Sequence, residues 1–248
     1  MKKILLVLTI LSLVLTSCMS KKKIIYLQGN QNIENSSANY EPIVQNDDRL
    51  FIRVSTLEPE ASLPFNLDNN NNNSNTSNNI TIGYLVDSKG NIEFPVLGTI
   101  SVAGYTINQV RDLLKEKLST YLKDPVINIR ILNFKVTVLG DVVNPGIKSF
   151  NSNRVTLLEA IGAASDLTLF GKRKNILLVR DFQGVKTFNR VDITSADFVN
   201  SPFYYLDQND VVYVETRKAK IDASAIPNLP IIISVVSFAI TMTILLTK

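Results

Sequence analysis

The sequence predicts an α+β protein built from two small units, on three observations. Two capping boxes, Thr106-Ile107-Asn108-Gln109 and Thr156-Leu157-Leu158-Glu159, each open a helical stripe set between stretches of strand-like alternation. The alternation changes phase once, between Ile131 and Phe134. Apolar blocks lie at both ends of the chain and leave a folded part of mixed composition between them.

At the N-terminus, Met1-Lys2-Lys3 precedes an almost wholly apolar run from Ile4 to Leu15, then Thr16-Ser17-Cys18. A positive start, a short apolar core and small residues before a break have the form of a secretory signal, and the core is too short to span a bilayer comfortably. Leu-Thr-Ser-Cys resembles the bacterial lipobox, whose cysteine thiol receives a diacylglycerol and becomes the first residue after cleavage. Cys18 is thus the expected lipid attachment point, with a plain cleaved signal or an uncleaved anchor as the other readings. Losing Lys2 and Lys3 lowers the formal charge from +4 to +2.

Composition narrows the chemistry. One cysteine and no histidine leave no intramolecular disulfide and few ligands for zinc, copper or haem. The imidazole-dependent nucleophilic triads are excluded. No cofactor and no metal site are expected. The basic residues form no long stripe and tryptophan is absent, so nucleic acid is not an expected partner.

Between the ends, residues 28–40 read as a polar spacer. Asp47 to Val54 begins as a turn and continues as an alternating strand. The tract 67–79, nearly all Asn and Ser, has no apolar face to bury and reads as a mobile loop between strands. Ile82–Val86 and Ile92–Val96 flank Ser88-Lys89-Gly90-Asn91, a hairpin signal. The first capping box opens a helix whose stripe is Ile107, Val110, Leu113, Leu114, Leu118 and Tyr121, ended by Lys123-Asp124-Pro125. Ile127, Ile129 and Ile131 then share one face, whereas Phe134, Val136 and Val138 share the other. A one-residue slip reverses every side chain, so a bulge or a domain boundary belongs at Leu132-Asn133. Beyond it come a strand to Gly140, a type II turn at Asn144-Pro145-Gly146, and a short helix to Ala164. Strands at Ile176–Arg180 and Val185–Ile193 are joined through Gln183-Gly184, and a last strand runs over Asp210–Val214. Strands with one helix across them make a small α+β unit.

The C-terminal stretch Leu229 to Thr247 carries no charge. As a helix at about 1.5 Å per residue it reaches roughly 28 Å, near the hydrocarbon thickness, and reads as a transmembrane helix. Asn228 is a plausible N-cap and Pro230 falls in the first turn, where its missing N–H costs nothing. Ser234, Ser237 and Thr241 fall on one face. They are either ordinary hydroxyls of a single-span anchor or the inward, pore-lining face of a ring of such helices.

These motifs match a known family. The segments LVDSKGNIEFPVLGTISVAGYT and YLKDPVINIRI resemble the polysaccharide export domain of the Wza-type outer-membrane capsule export lipoproteins. KVTVLGDVVNPGIKSF, RVTLLEAIGAAS and QNDVVYV resemble the soluble-ligand-binding β-grasp (SLBB) domain that follows it. The matching residues Asp87, Gly90, Pro95, Gly98, Gly104, Pro125, Gly140, Pro145, Gly146 and Asp210 fall on turns and strand ends. The resemblance implies a signal peptide 1–17, a lipidated spacer 18–40, an export domain 41–132 and an SLBB domain 133–216. A linker 217–228 and the membrane-spanning helix 229–248 would follow. It further implies a subunit of a ring-shaped homo-oligomer that exports capsule or exopolysaccharide across the outer membrane. The domains would be periplasmic, both ends would meet a lipid bilayer, and an inner-membrane polysaccharide co-polymerase with tyrosine-kinase character would be the partner. Three departures stand out: Ala164-Ser165 replaces the family's Gly-Gly, only one β-grasp unit fits, and the terminal helix is almost uniformly apolar.

Two other readings compete. Asp47, Asp48, Glu58 and Glu60 are imaginable as a glycosidase pair, although they cluster near a turn and a loop. A membrane-anchored periplasmic glycan receptor or scaffold, with no channel, needs the same domains and no ring.

Overall fold

The computed structural model describes residues 24–29, 40–67, 83–182, 184–218, 220 and 229–246. Cys18, the signal 1–17 and all but Leu67 of the Asn-rich tract lie outside them.

The first unit is organised around β1 (Arg49–Ser55), which pairs antiparallel with β2 (Tyr84–Leu85) on one side. The hairpin β3 (Asn91–Phe94) and β4 (Gly98–Ser101) follows, and the chain returns as β5 (Val126–Ile131) on the other side of β1. Leu50, Ile52 and Val54 of β1 and Ile127, Ile129 and Ile131 of β5 all point to the buried face. The helix Ile107–Leu118 contributes Val110, Leu114 and Leu118 to the same core, none of them measurably exposed. Its capping box is present in full: the Thr106 hydroxyl accepts the Gln109 N–H at 3.3 Å, and the Gln109 side chain accepts the Thr106 N–H at 2.8 Å. Tyr121 does not extend the stripe. The helix ends at Leu118, so Leu122 takes the buried place and Tyr121 stays 58% exposed beside Phe65.

The expected hairpin is displaced by one strand. The residues before the Ser88–Asn91 turn join β1 instead, with the Val86 N–H donating to Asp48 O at 2.8 Å, and β3 pairs with β4 through Pro95–Leu97. The turn itself is closed by Asp87, whose Oδ1 accepts the N–H groups of both Lys89 and Asn91 at 2.8 Å, while β1 claims the strand before it.

The chain leaves the first sheet at Ile131 and enters another at β6 (Lys135–Gly140), with the change of buried phase falling between them. β7 (Gly146–Ser149), β8 (Val155–Thr156), β9 (Gly171–Phe182), β10 (Val185–Val191), β11 (Tyr205–Leu206) and β12 (Val211–Thr216) complete the second unit. Its main sheet has the order β10-β9-β12-β6-β7, in which only β6 and β12 are parallel. The helix Leu157–Ala163, opened by the second capping box, buries Leu157, Ala160 and Ile161 with Val136, Val138, Ile176, Leu178, Val212 and Val214. Gly140 sits where β6 and β12 come closest: its φ is 89°, and a Cβ there would lie 2.0 Å from Val214 O. Gly146 takes the positive φ expected of it, 139°, but as the first residue of β7 opposite Val138 rather than inside a tight turn.

Two terminal segments dock on the second unit. Leu27 and Gln28 donate backbone N–H groups to Ile193 O and Thr194 O at 3.1 and 2.6 Å, and Ala196 returns one to Gln28 O at 3.0 Å. The Tyr26 hydroxyl bonds Asp166, and its ring lies against the buried Arg173. At the other end Arg217 N donates to Phe170 O at 2.8 Å, and Lys220 reaches the buried Asp141 at 2.8 Å. Burial pushes the Asp141 carboxyl up, but hydrogen bonds from Lys220 and Thr168 outweigh it and hold the group below its ordinary range. Both segments therefore converge on the loop Asp166–Arg173.

Residues Leu229–Leu246 form an uncharged helix of 18 residues. Among the described residues no helix is long and apolar enough to cross a membrane. Eighteen residues give about 27 Å, slightly under the roughly 30 Å hydrocarbon core, and the expected span's last two residues lie outside the described set. Ser234, Ser237 and Thr241 are all exposed. The Ser234 hydroxyl donates to Ile231 O and that of Thr241 to Ser237 O, each at 2.8 Å, so these two donors are used within the helix itself.

Candidate functional site at the junction of the units

A cleft of about 410 Å³ opens where the two units meet. One wall is the segment Val44–Asp47 with Ala103 and Gly104; the other is the tip of the β9–β10 hairpin, Asp181, Phe182 and Gly184, with Asn209 beside it. The first wall is held by backbone pairing, since Val44 N–H donates to Tyr105 O at 3.0 Å and Gly104 N–H to Val44 O at 2.9 Å. Gly90 lies directly beneath it, where a Cβ would fall 2.7 Å from that of Ala103. On the second wall the Asp181 carboxylate accepts the Gly184 N–H at 3.1 Å and closes the hairpin tip. The result is one aromatic ring among amide and carboxylate groups, a lining suited to a hydroxyl-rich ligand.

Below the cleft lies a buried ionic knot. Arg180 on β9 makes three bonds to Asp210, from Nε at 3.0 and 3.2 Å and from Nη2 at 2.7 Å, and a fourth contact to Asp207 at 2.8 Å. Asp210 is fully buried and also accepts the Asp207 N–H at 2.8 Å. The Tyr40 hydroxyl, from the segment leading into the first unit, donates to Asp207 at 2.6 Å and Leu206 O at 2.8 Å. Its ring stacks on Tyr205 at 4.8 Å. Burial, then the charge of Asp207, push the Tyr40 phenol far above its ordinary value, so it stays a donor. Burial works against the Arg180 charge, yet the bonds and charges of Asp210 and Asp207 outweigh it and raise that pKa. Burial also raises Asp210; with every guanidinium and amide donor aimed at its carboxylate, the ionised pair is the state the geometry supports. Asp210 thus ties β9 to the start of β12, and Asp207 ties the second unit to Tyr40, which leads into the first.

A second contact across the junction centres on Asn133. Its Oδ1 accepts the Arg49 N–H at 2.8 Å, its Nδ2 donates to Asp47 O at 3.0 Å, and its own carbonyl receives the Gln208 amide at 2.9 Å. Asp48 lies next to this contact with no exposed surface. Burial pushes its carboxyl up to about 6, only partly opposed by the Gln45 N–H it accepts at 2.9 Å.

Of the sequence-expected positions, the structure brings Gly104 to the cleft, Gly90 beneath it and Asp210 into the knot. Asp87 closes its own turn, Pro95 and Gly98 bracket the β3–β4 turn, Pro125 precedes β5, and Gly140, Pro145 and Gly146 sit at ends of β6 and β7, all apart from the cleft. Cys18 lies outside the described residues. The imagined glycosidase pair is not assembled: Asp48 is sealed from solvent, Asp47 alone of the four reaches the cleft, and Glu58 precedes while Glu60 lies within the one-turn helix Pro59–Ser62. Among the described residues no group of three or more Cys, His, Asp or Glu is placed to hold a metal ion. Sequence reasoning missed Tyr40, Arg180 and Asp207. An arginine facing inward on an otherwise apolar strand, with two aspartates three residues apart near the last strand, was the available signal.

The first unit has counterparts among known proteins. Residues 36–132 match the family described as polysaccharide biosynthesis/export protein. Over that segment the chain is similar to the polysaccharide export family. It is 38% identical over 102 residues to the EPS I polysaccharide export outer membrane protein EpsA of Ralstonia nicotianae, covering 40% of this chain and 27% of that one. The protein of the same name in Ralstonia solanacearum is 37% identical over 90 residues, 35% of this chain and 24% of that one. The matched segments therefore span about a quarter of the length of these relatives.

Proposed function

We propose that this chain is a subunit of an oligomeric channel that exports a polysaccharide across the outer membrane. The observation that carries the proposal is the export domain at 36–132, matched by the family model and by relatives named as polysaccharide export outer membrane proteins. In this reading the chain divides into a signal 1–17, a spacer 18–40 lipidated on Cys18, an export domain 41–132, an SLBB domain 133–216, a linker 217–228 and a membrane helix 229–248. The convergence of Ile24–Gly29 and Arg217–Lys220 on one loop supports the view that lipid anchor and helix enter the same membrane. A helix of 18 residues is short for a lone span, and copies closed into a ring would shield one another and satisfy a thin bilayer. Ser234, Ser237 and Thr241 are the candidate lining of that ring. An inner-membrane polysaccharide co-polymerase is the expected partner. Transport needs no catalytic residue.

Deleting the gene should abolish surface polysaccharide while intracellular polymer persists, and re-expression should restore it; unchanged surface polymer would sink the proposal. The junction cleft favours a second reading, a membrane-anchored glycan receptor without a channel. Native mass measurement of the full-length lipoprotein separates them, because a channel requires a closed ring and a receptor gives a monomer or dimer.

A further inference from the structure

The outward face of the first sheet carries a cationic cluster that the fold does not use. Arg49, Phe51 and Arg53 alternate on β1 away from the core, and Arg130 on β5 lies directly opposite Phe51. Same-face neighbours on a strand are about 7 Å apart and directly opposed residues about 5 Å, so the three arginines surround one aromatic ring. The remaining outward positions are Ser55, Leu85, Val126 and Asn128, with no acidic residue among them. None of the three guanidinium groups has an ion-pair or hydrogen-bond partner among the described residues. Gly83 keeps the face low: a Cβ there would lie 2.8 Å from Arg49 Cγ, so the arginine stem lies across the glycine. On the second sheet, by contrast with these arginines, Lys172 and Arg190 share Glu215, whose carboxyl is held down at about 2 by the hydrogen bonds they donate.

We infer that the face formed by Arg49, Phe51, Arg53 and Arg130 binds an acidic polysaccharide, one bearing uronate-type carboxylates. This rests on the export reading and names the class of polymer. Guanidinium groups take carboxylates in two-point contacts, an aromatic ring accepts the C–H face of a sugar, and the spread of charge along β1 meets more than one carboxylate of an extended chain. The junction cleft carries Asp47 and Asp181 and disfavours the same ligand, so the two surfaces are chemically distinct.

The test titrates full-length protein in detergent with a linear oligogalacturonate, a dextran oligosaccharide of equal length, and polyglutamate of equal charge. Saturable binding of the oligogalacturonate that weakens with salt is expected, with dextran and polyglutamate at least roughly tenfold weaker. The triple change Arg49→Gln, Arg53→Gln, Arg130→Gln should cost roughly tenfold or more, and the triple Arg→Lys variant should recover part of it. Phe51→Ala should weaken binding without altering its salt dependence. Undiminished binding by the triple Gln variant, or equal binding of dextran or polyglutamate, overturns the inference. So does a triple Gln variant that changes oligomeric mass but not binding, which would make the face an interface between copies. In cells the two readings separate. Loss of surface polymer on deletion, with normal export by the triple Gln variant, removes this inference and leaves the export reading standing. Unchanged surface polymer on deletion removes the export reading, and the binding series still decides this one.

Discussion

Replacing Asp48 by asparagine removes a charge that the fold buries at the junction of its two units. The carboxyl is held at about 6 in the folded chain against an ordinary 3.8. A folded-state pKa above the unfolded one means that the native state keeps a proton the unfolded chain releases. The associated stabilisation is complete below about pH 4 and is lost as pH rises through 6. At about 1.36 kcal/mol for each pH step of one, that gap is worth roughly 3 kcal/mol over the window. The asparagine can still accept the Gln45 N–H, but its amide nitrogen falls where no described donor or acceptor serves Asp48 Oδ1, an offset of about 1–3 kcal/mol. The net change at one pH is therefore small, and the pH dependence is the decisive readout. Thermal melts of both proteins in detergent at about pH 4.5, 5.5 and 7.5 should show the Asp48→Asn variant gaining on the wild type as pH rises. About 2 kcal/mol of that change falls between pH 4.5 and 7.5, so at about 2–4 °C per kcal/mol the relative gain across the series is roughly 4–8 °C. Parallel melting temperatures at all three pH values would refute the reasoning, because they would mean that Asp48 ionises freely in the folded chain.

Other outcomes follow from the same contacts. Gly140→Ala places a methyl 2.0 Å from Val214 O on a residue with φ of 89°; with backbone on the opposing side the parallel pair must part, and loss of folded protein is expected on expression. Asp210→Ala leaves Arg180 with Asp207 and the Tyr205 carbonyl and should cost about 3 kcal/mol in a denaturant melt, with Asp210→Asn milder because the side chain can still accept hydrogen bonds. Thr156→Ala removes one capping box and should cost about 1 kcal/mol. Leu114→Ala opens a fully buried site against the first sheet, with an expected loss of about 2–5 kcal/mol.

Local chemistry was the part most legible in the sequence. Both capping boxes form because their donors and acceptors lie three residues apart, within reach of any chain that turns helical there. The phase change at Leu132-Asn133 was readable because pleat geometry ties residue parity to a face, and the chain does change sheets between Ile131 and Lys135. The displaced hairpin was not readable: the Ser88–Asn91 turn is correct, but which strand pairs with β2 depends on β1, which lies far earlier in the chain. Tyr121 leaves the buried stripe because a helical period carries no information past the helix end. The knot of Tyr40, Arg180, Asp207 and Asp210 joins Tyr40 to an aspartate 167 positions away, and no periodic pattern reports such closure.

The pairing of Leu27 and Gln28 with Ile193–Ala196 makes the second unit discontinuous in the chain. A fragment cut at 133–216 would lack the donors for Ile193 O and Thr194 O, the acceptor for Ala196 N–H, and the ring against Arg173. During synthesis the segment at 24–29 must wait until Ala196 has emerged before it finds its place, so the join closes over a long loop and forms late. A single docked segment thereby makes completion of the second unit a condition for fixing the position of everything attached to the N-terminus.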